Sequence, residues 1–312
     1  MQNNHIYETL IIGSGPCGIG CACKLKEAGI DFAVIESYIP GGKVNIAPRV
    51  DNYPHEFQIP GPDLAMKFAK RLMDLKVEFI NKEVVSLTKE NELFIIKLAD
   101  ETVLQSKTVL IASGTKERKL GLDKEDELLG HGISYCAICD GHFFKGKDIV
   151  IVGGGNSALK EAIYLSNLCN KVYLVHRRTE FRGLNHLVDE LKAKGNVEIL
   201  TPYIPVEILG DDKVTGLVIE QKETHERLSL KVEGFFPLVG QIPNTQFINI
   251  DGVKDEWGLV AVNNKTMETN CENLFAGGDI LPREVRQIYL AEHDGMVAAK
   301  NIVIKLRGQN EN

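Results

Sequence analysis

Two stretches of this chain share one pattern of apolar and polar positions. In each, a β-branched apolar run enters a glycine cluster, a helix-period stretch leaves it, and a second apolar run follows. The first is LIIGSGPCG at residues 10–18, then a helix candidate at 19–28 ending at Gly29, then FAVIE at 32–36. The second is IVIVGGGNSA at 149–158, then KVYLV at 171–175 and His176-Arg177-Arg178. From Gly13 to Glu36 and from Gly153 to His176 the separation is the same, 23 residues. Gly13, Gly15 and Gly18 make a G-x-G-x-x-G fingerprint, and the strand–turn–helix context is what makes that short motif credible. Glycine turns let a backbone approach a pyrophosphate, and the helix N-terminus supplies N–H donors to it.

The ends of the two second strands differ. Glu36 can accept hydrogen bonds from ribose hydroxyls. His176, Arg177 and Arg178, with Arg182 close behind, would instead attract a ribose 2′-phosphate, which guanidinium groups bind bidentately. The second unit is therefore expected to take NADPH. Ala158 stands at its third glycine position, as the fingerprint permits. A solvated basic turn is the bland alternative for the arginines.

Between the units, residues 92–98 and 102–111 read as strands, and 116–119 as a linker. Beyond the second unit, 214–221 and 228–232 read as a hairpin, 240–245 as a turn-rich crossover, and 288–306 as a closing helix. The second unit reads as an insertion into a domain that resumes near the C-terminus. The fold expected is α/β, with two Rossmann-like βαβ nucleotide-binding domains. The expected boundaries are 1–117 with 247–312 for the first domain and 118–246 for the inserted one.

A chain of 312 residues has length for about two such domains, each with its own core. Apolar content of 44% and charged content of 25% are ordinary for a globular protein. A net charge of −7 argues against general nucleic-acid binding. No apolar run approaches the roughly 20 residues that span a bilayer. The first residues lack a charged region followed by an apolar one and a cleavage site, so no signal peptide is expected and the cytoplasm is the default location.

Seven cysteines in a chain of this length are not a disulfide scaffold. Two of them, Cys136-Ala-Ile-Cys139, lie between the glycine units, and a close pair in a reducing compartment is catalytic or metal-binding more often than structural. Two nucleotide sites flanking a dithiol suggest electrons passing from a nucleotide through a second cofactor to a disulfide. Cysteines at the start of a helix suit this chemistry, because the helix N-terminus tunes the thiol pKa. Asp140 directly follows and can relay a proton. The competing readings of the pair are a zinc half-site, with His131 and His142 close in sequence, and two core thiols. No metal is expected. Cys17, Cys21 and Cys23 read as small core residues of the first helix, and Cys169 and Cys271 as core or surface thiols.

The stretches GSGPCGIG, GGKVNIAPRVDNYP, IASGTKERKL, SYCAICDG, VGGGNSALKEAIYLSN, VHRRTEFRG, VGQIPNT and FAGGDILPREVRQIYLAEHDG, in this order, make the chain resemble the low-molecular-weight bacterial thioredoxin reductases from about residue 7 to 305. The resemblance implies a discontinuous FAD domain, an inserted NADPH domain carrying the dithiol, a homodimer, and reduction of thioredoxin. It assigns Gly13, Ser14, Gly15, Pro16, Gly18, Glu36, Gly42, Lys43, Asn52, Gly114, Gly278, Asp279, Arg286 and Gln287 to FAD. It assigns Gly153, Gly155, Asn156, Ser157, Ala158, His176, Arg177, Arg178 and Arg182 to NADPH. Cys136 and Cys139 would form the redox disulfide, with Cys139 nearer the flavin and Asp140 the acid beside them.

The resemblance also implies a hinge rotation about residues 116–119 and 240–244. Lys43 stands where relatives commonly carry Gln, and Lys160 where they carry Glu. A cation near the flavin would favour an anionic reduced ring. Two other readings are a ferredoxin- or flavodoxin-NADP reductase, against which the dithiol counts, and a non-catalytic flavin or NADPH redox sensor.

Overall fold

The structure is a computed structural model that describes residues 5–308 apart from Pro48, Asp51, His55 and Phe57. The chain divides into two compact units, one made of Met1–Lys116 and Ile242–Asn312, the other of Glu117–Gln241.

The first unit opens with β1 (Ile6–Ile12), α1 (Pro16–Glu27), β2 (Phe32–Glu36), α2 (Gly61–Asp74) and β3 (Glu78–Asn81). β4 (Val84–Glu90), β5 (Leu93–Leu98), β6 (Val103–Ile111) and the short β7 (Thr115–Glu117) follow. Its sheet runs β3-β2-β1-β6-β5-β4. The first four of these strands are parallel, and β5 and β4 extend the sheet antiparallel. β1 is buried along nearly its whole length, with Leu10 and Ile11 fully enclosed, as expected of a central parallel strand covered on both faces. α1 starts three residues before the stretch expected from sequence, because Pro16 sits in its first turn, where the missing N–H costs nothing.

The second unit begins with α3 (Ala137–Asp140), β8 (Asp148–Val152), α4 (Asn156–Ser166), β9 (Lys171–Val175), α5 (Asn185–Lys192) and β10 (Val197–Leu200). It continues with β11 (Tyr203–Leu209), β12 (Gly216–Gln221), β13 (Arg227–Leu230) and β14 (Gly234–Pro237). Strands β10-β9-β8-β14 form its parallel sheet, and β11-β12-β13 a separate antiparallel one. The expected hairpin is thus β12–β13, paired from Leu217 with Leu230 to Glu220 with Arg227.

The chain then gives β15 (Gln241–Pro243), β16 (Leu274–Ala276) and the closing α6 (Ile288–Arg307). β16 returns to the first sheet and pairs with the second half of β6, Val109 to Ile111, while β5 takes its first half. In the first unit α6 packs on α1 with glycines at the crossing: a Cβ at Gly295 would lie 1.9 Å from the Cys17 carbonyl oxygen. Cys17 and Cys21 are buried in this seam, as their reading as core residues requires. Among the described residues no helix is long and apolar enough to cross a membrane.

Candidate functional site

Each parallel sheet presents a glycine turn at the C-terminal end of its first strand, where open α/β sheets bind ligands. In the first turn Gly13 takes a positive φ of 104°, and a Cβ on it would lie 2.4 Å from the Ala112 carbonyl oxygen. A Cβ on Gly18 would lie 1.9 Å from the Gly13 carbonyl oxygen, so α1 seats on the turn only without a side chain there. Gly15 precedes α1 in extended backbone, and Pro16 opens the helix.

Glu36 closes over this turn. Its Oε2 accepts from the Ser14 N–H at 2.8 Å and the Ser14 hydroxyl at 2.9 Å, and its Oε1 from the Tyr38 N–H at 3.1 Å. The loop after β2 comes back to the same place. The Gly41 N–H donates to the Ser14 carbonyl at 2.8 Å. A Cβ on Gly42 would lie 3.2 Å from the Gly15 Cα.

The C-terminal segment completes this cluster. Lys43 Nζ donates to Thr115 Oγ1 at 3.0 Å and lies 3.5 Å from Asp279 Oδ2. Arg286 Nε donates to the Asp279 carbonyl at 3.1 Å, and Asn52 Nδ2 to Gln287 Oε1 at 2.7 Å. Gly278 is held from α6, its N–H donating at 2.9 Å to Asp294, which also pairs with Arg283 at 2.7 Å. Gly114 lies at the foot of the cluster with a positive φ of 64°, its carbonyl accepting from the Asn244 N–H at 2.9 Å. Residues assigned from sequence to one cofactor thus come together from four separated segments of the first unit. Asp294 and Arg283, which brace the Gly278 loop, were not foreseen.

The second turn has the same frame and different contents. Gly153 accepts no side chain, since a Cβ would lie 2.5 Å from the Leu238 carbonyl oxygen. Gly154 lies under the His176 ring, which a Cβ would meet at 2.2 Å. Its carbonyl accepts from the Arg182 N–H at 2.9 Å. Gly155 precedes α4, Asn156 Oδ1 accepts from the Leu184 N–H at 2.9 Å, Ser157 is exposed, and Ala158 is buried against the turn.

His176 is itself buried and stacks on Phe181 with centroids 5.0 Å apart. Burial lowers its pKa, a hydrogen bond with the Glu180 backbone opposes this, and Arg178, Arg177 and Arg182 lower it further. Its Nε2 is buried without a hydrogen-bond partner. Arg177, Arg178 and Arg182 are exposed around it.

The dithiol lies in the second unit. Cys136 and Cys139 are joined as a disulfide with Cα atoms 5.3 Å apart, which sets aside the zinc half-site and core-thiol readings. Among the described residues no group of three or more His, Cys, Asp or Glu could hold a metal ion. Cys136 caps α3, its Sγ accepting from the Cys139 N–H at 3.2 Å. Asp140 is buried, and its Oδ2 accepts from the Ser134 hydroxyl at 2.6 Å. Both sulfurs' residues are only partly covered, and Ile138 between them is half exposed.

Two carboxyls beyond those foreseen support this segment. Glu125 is buried and takes the amides of Leu120, Gly121 and Leu122, and the Tyr135 hydroxyl at 2.8 Å. Glu161, on α4, accepts from the Ala137 N–H at 2.8 Å. Glu161 reaches Ala137 across 24 residues of sequence, and no local pattern marks that contact.

The sequence profile of the pyridine nucleotide-disulphide oxidoreductases matches residues 7–295. The thioredoxin reductase of Mycoplasma pneumoniae is 39% identical over 298 residues, covering 95% of this chain and 94% of the relative. That of Bacillus subtilis is 35% identical, covering 97% and 95% respectively. Among solved structures, thioredoxin reductase from Streptococcus pyogenes superposes with a TM-score of 0.91 at 36% identity, covering 98% of this chain and 99% of that one.

Proposed function

The chain belongs to the pyridine nucleotide-disulphide oxidoreductase family, and from that premise we propose that it is a thioredoxin reductase, passing electrons from NADPH through FAD and the Cys136–Cys139 pair to the disulfide of thioredoxin. The single observation that carries this reading is the disulfide at the start of α3, part-exposed, with a buried carboxyl behind it, in the unit that also holds the arginine-edged glycine turn.

The residues of the first turn fit FAD. Gly15 and Gly42 approach each other so closely that a Cβ on Gly42 would lie 3.2 Å from the Gly15 Cα, and Gly13, Ser14 and Pro16 lie in the turn. Glu36 offers carboxylate oxygens at its edge, where a ribose would exchange for the Ser14 contacts. Gly18, Lys43, Asn52, Gly114, Gly278, Asp279, Arg286 and Gln287 complete the proposed set. In the second unit the turn of Gly153, Gly155, Asn156 and Ser157, seated on the buried Ala158, would face the NADPH pyrophosphate, and Arg177, Arg178 and Arg182 its 2′-phosphate, with His176 packed between. The flavin, when bound, supplies the two-electron relay between the nicotinamide and the disulfide.

The chain's own residues do the rest. Breaking the Cys136–Cys139 bond takes two electrons and leaves one or both sulfurs to be protonated. Asp140, which directly follows Cys139 and is buried, is the acid next in sequence to the pair and the proposed proton relay for the leaving sulfur. The thiolate formed at the α3 N-terminus then attacks the thioredoxin disulfide. A mixed disulfide forms, and the second cysteine resolves it, restoring the Cys136–Cys139 bond. A homodimer and a cytoplasmic location belong to the same proposal, the former checked by light scattering of the holoprotein.

The test is NADPH consumption by the FAD-loaded protein with thioredoxin, for wild type and Cys136→Ser. Sustained turnover in wild type, falling at least about 1,000-fold in the variant while NADPH still bleaches the flavin, is the expected result. Flavin reduction without turnover in wild type would overturn the reading and leave a redox sensor.

A further inference from the structure

Asp140 is the acid that the sequence offers to the dithiol; the structure brings a second carboxyl to the same short helix. Glu161 sits one turn beyond the glycine turn on α4, and its Oε2 accepts from the Ala137 N–H at 2.8 Å. Ala137 is the first residue of α3 and follows Cys136 directly. Two residues on, the amide of Cys139 donates to Cys136 Sγ at 3.2 Å. One carboxyl and one sulfur therefore share the N-terminal donors of α3. Amides at a helix N-terminus favour negative charge, whether on oxygen or on sulfur.

We propose that Glu161 is a positioning residue of the dithiol, which fixes the Ala137 amide and takes up a proton when the Cys136–Cys139 bond is reduced, giving it back on oxidation. This rests on the reading of the pair as a working redox disulfide. The balance is simple. Two electrons break the S–S bond, one sulfur takes a proton as thiol, and the other is left as a thiolate beside the same amides. A second anion there is unfavourable, and protonating the Glu161 carboxyl removes it.

The surroundings of Glu161 suit that task. Burial pushes its pKa up to about 7, the Ala137 N–H pulls it back, and the negative charge of Glu117 on β7 raises it. The other carboxyl on α3, Asp140, is engaged by the Ser134 hydroxyl at 2.6 Å. Its neighbour on α4, Lys160, is exposed. Among the described residues, Glu117 is the charged neighbour that shifts it. Because α4 also carries the second glycine turn at its start, Glu161 joins the dithiol and the nucleotide turn through one rigid helix.

The experiment is a redox titration of the FAD-loaded protein in dithiothreitol buffers from pH 6 to 8.5, with reduced Cys136 and Cys139 counted by alkylation and mass spectrometry. Wild type, Glu161→Gln and Glu161→Ala are compared. The Gln amide oxygen can still accept the Ala137 N–H, but carries no titrating charge. At pH 6, where Glu161 is protonated in wild type, wild type and Glu161→Gln should coincide. At pH 8.5 the variant should hold about tenfold more dithiol relative to disulfide, roughly 30 mV. Parallel curves for these two across the range would overturn the proposal. So would a shift in Glu161→Ala alone, which would leave Glu161 as a purely structural acceptor. The titration uses neither NADPH nor thioredoxin, so failure of the protein to turn over thioredoxin would leave this result separately readable.

Discussion

The two glycine turns are one backbone device with opposite electrostatic edges. Both follow a buried parallel strand, and both need a first glycine whose Cβ would strike a carbonyl oxygen, at 2.4 Å in Gly13 and 2.5 Å in Gly153. At the end of the second strand they part. Glu36 gathers three donors onto one carboxylate, whereas His176 lies over Gly154 with three exposed arginines around it. Under the proposed function, the shared frame would seat a pyrophosphate in each turn, and the strand-end residue would set which ribose each accepts.

The largest effect expected is at the third position of the fingerprint, where the turns differ in size. Gly18→Ala would place a methyl group 1.9 Å from the Gly13 carbonyl oxygen, and backbone cannot give way as a side-chain tip can. The cost should be about 3 kcal/mol, with FAD lost on gel filtration. Ala158 already carries that methyl in the second turn. The reciprocal Ala158→Gly should therefore lower stability by only about 1 kcal/mol, the helix-propensity cost, and spare NADPH binding. Equal damage from both would break the claim that the turns seat their helices differently.

What could be read from sequence follows from how local each constraint is. The glycine turns, the strand-end charges and the cysteine pair are each written within about ten consecutive residues; the glycines do turn into α1 and α4, and the cysteines do pair. The closing helix α6 shows the same, Ile288–Arg307 against an expected 288–306. α2 gave no expectation, although Leu64, Ala65, Phe68 and Leu72 fall on one helical face. Its start at Pro60-Gly61-Pro62 reads as a turn, which masked the period. β4 and β11 carry no clear strand period in sequence, because exposed residues break up their apolar pattern at a sheet edge. Glu125, Glu161 and Asp294 were invisible for another reason. An acidic residue in a helical or charged stretch reads as solvent-facing, and only the fold shows that each meets backbone amides.

The second effect sharpens the contrast at the strand ends. Arg177→Ala with Arg178→Ala removes two guanidinium groups from the edge that Glu36 occupies in the first turn. Each charge-assisted contact to a phosphate is worth about 1.5 kcal/mol at an exposed site, so the pair should weaken NADPH by roughly 100-fold. NADH, which has no 2′-phosphate, should be almost unaffected. The kcat/KM ratio for the two nucleotides is the measurement. A uniform loss for both would mean that the arginines support the fold of the turn and do not select the ribose.

The smallest effect concerns His176, where the second turn keeps an uncharged ring among cations. Its pKa is lowered first by burial, and further by Arg178, Arg177 and Arg182, against the opposing bond with the Glu180 backbone. In the unfolded chain the ring would titrate near its ordinary value of 6.5. Below that pH the unfolded state binds the extra proton first, so stability rises with pH up to about 6.5 and is lost as pH falls through the window beneath it. His176→Asn should flatten this acid limb, so that thermal midpoints of wild type and variant diverge as pH drops from 7 to 5 and run together above 7. Midpoints that stay parallel across the whole range would show that the folded turn tolerates a protonated ring. In that case the three arginines would have to be screened well enough by solvent to leave the imidazole free to charge beside them.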